Sequence, residues 1–249
     1  MFEVSADAYG AFMGRFAEPL AERFAAVAGI GPDVQVLDVG CGPGALTERL
    51  VRLGATVSAI DPSLSFVDAV RVRLPEADVR FGSAELLPFL DHTFDAALAQ
   101  LVVHFMRDPV AGLTEMARVT RPGGRVAACV WDEAGGTGPV ATFWAAAHDV
   151  DPSAVDESQL AGGRQGHLMQ LFGAAGIHEV EGLTLTVDVA FADFDAWWQP
   201  YTYGVGPAGA YVAGLDGKHR EALRSRCAQL LPEGPFELEA SAWTALGRA

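Results

Sequence analysis

Asp38, Gly40, Gly42, Gly44 and Asp61 are the residues whose types and spacing suit small-molecule chemistry. They lie in Val36-Leu37-Asp38-Val39-Gly40-Cys41-Gly42-Pro43-Gly44 and in Ala59-Ile60-Asp61-Pro62-Ser63. Each segment opens on an apolar run that predicts a buried strand and closes on residues that break it. Glycines that leave a strand and open a helix let a ligand approach the backbone closely. Asp61 stands 21 residues after Gly40, the spacing at which an acid can accept hydrogen bonds from both hydroxyls of a ribose. The same residue also suits a helix N-cap, with Pro62 in the first turn. Gly40, Gly42 and Ala45 satisfy the degenerate dinucleotide pattern with alanine in third place. A nicotinamide-dependent oxidoreductase is therefore one reading, and a tight turn that holds no ligand is another.

Three features turn the reading away from a dinucleotide. Asp38 sits two residues before the first glycine, where a pyrophosphate would meet an unwanted negative charge and an amino-acid ammonium would be welcomed. The glycine strand begins after more than thirty residues of mostly helical pattern. Gly82-Ser83-Ala84-Glu85 and Arg121-Pro122-Gly123-Gly124 then mark two further strand connections.

From about Tyr9 to Val130 the chain resembles the class I S-adenosylmethionine-dependent methyltransferases, in the small-molecule group similar to the ubiquinone and menaquinone biosynthesis methyltransferases (methyltransferase type 11). The segments that carry the resemblance are V-L-D-V-G-C-G-P-G, A-I-D-P-S, G-S-A-E-L-L-P-F, F-D-A-A-L-A-Q-L-V-V-H-F and R-P-G-G-R-V. The resemblance implies S-adenosylmethionine as cofactor. It implies that Asp38 and Gly40 hold the methionine part, and that Gly42 and Gly44 line its backbone with Cys41 and Pro62 beside them. Asp61 would bind the ribose, the Ser83-Ala84-Glu85 turn would face adenine, and Gln100 and Leu101 would lie beside the sulfonium. Many relatives carry aspartate where this chain has Ser83. Tyr9-Gly10-Ala11-Phe12-Met13-Gly14-Arg15 resembles a lid helix, in which Arg15 would pair with the cofactor carboxylate or stand as a surface cation beside Glu18. Tyr9, Phe12 and Met13 suit a substrate-pocket wall or core packing. A non-catalytic protein that binds the same nucleoside is the alternative reading.

Methyl transfer from a sulfonium is an in-line displacement in which positioning supplies much of the rate, so no covalent catalytic group is required. His104, just past the fourth strand, is the candidate base for a hydroxyl or amine; packed among Val102, Val103 and Phe105, it also suits the core. Acceptor choice falls to parts grafted onto the shared fold. Trp197, Trp198, Tyr201, Tyr203 and Tyr211 make up five of the nine Trp and Tyr residues. Trp197, Trp198, Tyr201 and Tyr203 are expected to face an apolar, aromatic or polyketide-like acceptor, with one of the adjacent tryptophans fastening the segment to the sheet.

The elements that must position these residues alternate strand and helix, which predicts a Rossmann-like, doubly wound, mostly parallel seven-stranded α/β sheet. Strands are expected at 34–39, 56–60, 79–81, 94–99, 125–131, 179–191 and 236–246, the late pair making an antiparallel edge. A helical pattern runs from Ser5 to Ala28, with Pro19 placed in the first turn of a second helix. The expected organisation is a helical lid over 1–30 and a methyltransferase domain over 31–249, with insertions at 133–163 and 193–231 forming a substrate cap. Half of the 249 residues are apolar and the net charge is −15. That charge, with scattered arginines, argues against nucleic acid. No apolar run of about 18 residues predicts a membrane span. Three widely spaced cysteines fit neither a disulfide framework nor a zinc site. With no secretory pattern in Met1-Phe2-Glu3-Val4, a cytoplasmic protein is expected.

Overall fold

The computed structural model describes residues 6–249, with side chains from Ala8 onward. The expected helix start at Ser5 and the reading of the first four residues lie outside the described residues. Seven strands form one sheet in the order β3-β2-β1-β4-β5-β7-β6. They are β1 (Gln35–Val39), β2 (Thr56–Asp61), β3 (Asp78–Phe81), β4 (Phe94–Gln100), β5 (Thr120–Trp131), β6 (His178–Phe191) and β7 (Phe236–Arg248). The first five run parallel, whereas β7 lies antiparallel between β5 and the edge strand β6. The chain leaves β1 toward β2 on one side and later returns to β4 on the other. The carboxyl ends of β1 and β4 thus flank the crevice where open α/β sheets bind ligands.

The sheet is covered on both faces, so its central strands alternate between two cores. Val36, Leu98 and Ala127 pack beneath α2 (Arg15–Val27) and α3 (Ala45–Arg52), whereas Leu37, Ala97 and Ala128 pack beneath α5 (Pro109–Val119) and α7 (His167–Ala174). The remaining crossover helix, α4 (Leu64–Arg73), buries Val67 and Val70 with Val79 of β3.

At the N-terminus, α1 (Ala6–Tyr9), a π-helical turn (Gly10–Gly14) and α2 follow one another. Pro19 lies inside α2, not in a first turn. The buried side chains Phe16, Leu20 and Phe24 on both sides of Pro19 hold the helix through it, although proline removes one backbone donor. β5 also begins at Thr120, before the Pro122-Gly123-Gly124 segment, with a register shift against β4. The strand was expected only from Arg125, because Pro and Gly read as a turn where a bulge accommodates them.

The two segments expected to be insertions both carry helices. Residues 133–163 carry α6 (Ala141–Val150), and 193–231 carry α8 (Phe194–Trp198), a 3₁₀ segment (Gln199–Tyr203), α9 (Gly206–Gly214) and α10 (Gly217–Leu230). They close over the same sheet face as α2. Among the described residues, no helix is long and apolar enough to cross a membrane.

Candidate functional site

The turn after β1 is built around Gly40. Its φ of +70° suits glycine, and a Cβ there would lie 2.2 Å from Cγ2 of Val102. Its N–H and that of Cys41 both donate to the Ile60 carbonyl at the end of β2, at 2.8 and 3.1 Å. Asp61 then locks the turn from the side. Its Oδ2 accepts the Gly42 N–H and its Oδ1 the Ser63 N–H, each at 2.8 Å. Gly42, at φ +52°, has nothing within 4 Å of where a Cβ would stand. The backbone is therefore bare on that side. Gly44, at φ +91°, starts α3.

Asp38 is buried at the end of β1, with 1% of its surface exposed. Thr47 Oγ1 of α3 donates to its Oδ2 at 2.6 Å, while its Oδ1 is buried without a partner. Burial, reinforced by the negative charge of Asp61 and opposed by the Thr47 hydrogen bond, pushes the carboxyl up to about 7. Gln100, ending β4, donates from Nε2 to the Ala17 carbonyl of α2 at 2.9 Å, and its Oε1 is likewise buried without a partner. Both residues line one cavity of about 330 Å³, together with Gly40, Gly42, Asp61 and Pro62. Two buried acceptors on one cavity wall call for a group with several donors.

Beyond Gly40 and Pro62 a second hollow opens, lined by Phe81, Ser83, Ala84, Glu85, Met106 and Arg107. Ser83 Oγ donates to Glu85, whose Oε1 accepts the Arg107 N–H at 2.8 Å, so this turn is braced from within.

A third cavity, of about 50 Å³, lies on the other side of Leu101. Its wall includes Phe12, Met13, Val140, Leu160 and Val205, and it carries His104, Glu133 and Glu157 as polar side chains. Tyr9, Leu101 and Phe105 line both this cavity and the one holding Asp38. Leu101 has a left-handed backbone, φ +61°, which is costly for a bulky residue and characteristic of functional sites. His104 loses its charge to burial, which pushes the imidazole down to about 3, and its Nδ1 has no partner. It is neutral at physiological pH.

The structure brings most of the expected residues together and sets a few apart. Asp38, Gly40, Cys41, Gly42, Asp61, Pro62, Gln100 and Leu101 share one cavity, whereas Gly44 faces Val70 and Arg73 of α4 and does not line it. Tyr9, Phe12, Met13 and His104 line the third cavity. Arg15 does not reach the cofactor crevice. Its guanidinium lies 5.3 Å from the centre of the Phe191 ring and donates to the Ala196 carbonyl at 3.3 Å, contacts that hold it away from the glycine turn. Trp197, Trp198 and Tyr201 are buried and do not line the cavity, and Tyr203 is 41% exposed. Tyr201 stacks on Phe143 at 4.6 Å and meets Phe12 edge-on at 4.8 Å, so these rings fasten the cap from behind. The same segment reaches the cavity through Val205, Gly206, Pro207 and Ala208 instead. Sequence reasoning missed these four, along with Glu133 and Glu157, since none stands in a motif.

Residues 37–128 match a family model described as a methyltransferase domain. Together with the strand order and the glycine turn, that match decides the class. Residues 37–128 carry a methyltransferase domain. S-adenosylmethionine is the cofactor of this class, and the paired acceptors of Asp38 and Gln100 over a bare glycine turn fit its amino-acid end. An uncharacterized methyltransferase of Mycobacterium bovis is 43% identical over 98 residues, covering 39% of this chain and 40% of that protein. A demethylmenaquinone methyltransferase of a Mycobacterium species (strain KMS) is 44% identical over 105 residues, covering 42% and 44%. The chain thus aligns with about two fifths of the length of the curated relatives it matches. The solved structure of the YcgJ protein from Bacillus subtilis shares the methyltransferase domain's fold at a TM-score of 0.58 and 18% identity, covering 94% of this chain and 97% of that one.

Proposed function

We propose that the protein transfers the methyl group of S-adenosylmethionine to a small, largely apolar acceptor by in-line displacement. The observation that carries the reading is the pair of unpartnered buried acceptors, Asp38 Oδ1 and Gln100 Oε1, on the wall of the glycine-turn cavity. The cofactor's ammonium supplies donors to both. Its carboxylate goes to the free backbone N–H groups at the start of α3 rather than to Arg15, its ribose to Asp61, and its adenine to the hollow between Phe81 and Arg107. The sulfonium then lies near Leu101, with the third cavity receiving the acceptor.

The apolar wall of that cavity favours an aromatic or otherwise apolar acceptor. The relative named as a demethylmenaquinone methyltransferase supports an aromatic acceptor here. A volume of about 50 Å³ admits such a molecule only when the cap segments part, which makes the cap a lid. The three cysteines are unpaired and buried, which supports a reducing, cytoplasmic setting. We take the partner to be a small molecule.

The test is calorimetry with S-adenosylhomocysteine, followed by transfer of labelled methyl to a panel of phenols, quinones, amines and carboxylic acids. Binding with transfer to at least one acceptor supports the proposal. Binding without transfer to any would favour a nucleoside-binding protein. Binding of NAD(P)H instead would favour an oxidoreductase.

A further inference from the structure

Four acids crowd together beside the third cavity, and three of them are held by donors. Asp132 accepts from the Gly135 N–H, Thr137 Oγ1 and Trp243 Nε1 at 2.7–2.9 Å. Asp156 accepts from the N–H and hydroxyl of Ser158. Glu157 accepts from Trp144 Nε1 at 3.0 Å. Glu133 is different. It stands two residues past the end of β5, it lines the cavity, and among the described residues no hydrogen bond supports its carboxyl.

A partly exposed carboxyl on an apolar wall, alone among its neighbours in lacking a donor, is placed to meet a donor carried by a ligand. His104, on the same wall, also has a buried Nδ1 without a partner. Two polar groups awaiting partners in one apolar cavity point to an acceptor that is mostly apolar and bears a protic group.

Resting on the function proposed above, we infer that Glu133 takes up the acceptor's proton and that the methylated atom is the oxygen or nitrogen of an O–H or N–H group. In the transfer step the acceptor's lone pair forms the new bond to the methyl carbon. The sulfur–methyl bond breaks with its electron pair left on sulfur, and the proton of the O–H or N–H passes to the Glu133 carboxylate. No oxidant or further reactant is needed.

The electrostatics agree with the geometry. Burial first, then the negative charges of Glu157, Asp132 and Asp156, push the Glu133 carboxyl up to about 8. The phenol of Tyr201 also faces it, and remains protonated because burial drives that group far above its ordinary value. His104, on the same wall, is a poor base at about 3. A base works best when it titrates near the working pH, and Glu133 meets that condition where His104 does not.

The experiment uses the full chain saturated with S-adenosylhomocysteine and three near-isosteric probes, 4-fluorophenol, 4-fluoroaniline and 4-fluorotoluene, followed by fluorine NMR between pH 6 and 9.5. In the wild type the phenol and aniline are expected to bind at least about tenfold more tightly than the toluene, a gap the size of a hydrogen bond to a charged group. Their affinity should change with pH around a midpoint near 8. Glu133→Gln should abolish that pH dependence and leave S-adenosylhomocysteine affinity within about twofold. Equal binding of the three probes, no binding of any, or an unchanged pH dependence in Glu133→Gln would overturn the inference. If that variant does not fold, carbon-13 titration of the wild-type glutamate carboxyls decides. One that titrates near 8 and shifts when 4-fluorophenol is added supports the inference, and its absence defeats it. Failure of S-adenosylhomocysteine to bind would instead strike the proposed function itself.

Discussion

The carboxylate of Asp61 accepts the backbone N–H of Gly42 at 2.8 Å, so the acid expected to bind a ribose is also the strut that holds the glycine turn. Asp61→Ala should therefore weaken S-adenosylhomocysteine binding by about 1–3 kcal/mol, through loss of hydrogen bonds to a charged acceptor. Asp61→Asn, which keeps one acceptor oxygen, should lose less. Calorimetry on both variants checks the order, and equal affinity in wild type and Asp61→Ala would remove Asp61 from the site.

Gly40→Ala meets two obstacles at once, a φ of +70° and a Cβ 2.2 Å from Val102. The backbone strain alone costs on the order of 1–3 kcal/mol. Thermal denaturation should show a clear loss of stability. Adding Val102→Ala removes both γ-methyls but leaves the Val102 Cβ 2.7 Å away, so it should recover only part of the steric cost and leave the double variant below wild type. Full recovery would mean the positive φ imposes no cost.

Asp38 sets a pH dependence. Its folded carboxyl holds a proton up to about 7, against 3.8 for the ordinary group. A raised pKa contributes stability that is complete below the lower value and lost as pH climbs through the higher one. The cofactor-free protein should therefore lose this contribution between roughly pH 4 and 7, the loss being complete above it, and Asp38→Asn should flatten that slope. Cofactor-product affinity should move the other way, rising from pH 6 to 8 as the carboxylate becomes available to the ammonium. Melting curves and calorimetry on wild type and Asp38→Asn measure both effects, and parallel pH profiles in the two proteins would refute the assignment.

The cap aromatics should divide by burial. Trp197 is 2% exposed and Tyr203 is 41% exposed. Trp197→Ala is expected to cost about 3–5 kcal/mol, as for a large buried ring, and Tyr203→Ala to stay within about 0.5 kcal/mol. Denaturant unfolding separates them. A Trp197→Ala variant with wild-type stability would show that the ring does not fasten the cap.

The cofactor half of the site was readable because its chemistry is written in contiguous segments at strand ends. Gly40, Gly42 and Gly44 are required by local backbone shape, and Asp61 follows at a distance set by one βαβ unit. Strand alternation between two buried faces was also visible, since parallel strands covered on both sides read as apolar runs. Pro19 and the Pro122-Gly123-Gly124 segment misled for a common reason. Local propensity marks them as breaks, and packing of Phe16, Leu20 and Phe24 in one case and strand pairing with a bulge in the other carry the element through.

The third cavity depended on tertiary structure. Tyr9, His104, Glu133, Glu157 and Val205 come from five separate parts of the chain, and only docking of the cap on the sheet brings them to one cavity. Tertiary contacts also place Arg15 against Phe191 and the Ala196 carbonyl, and Trp197 against Tyr201 at 4.8 Å. Residue types along the sequence determined the glycine turn and the acid that braces it, because a backbone turn is a local object. The surroundings of Glu133 were decided by the fold, because burial and unpaired charge are properties of what surrounds a side chain.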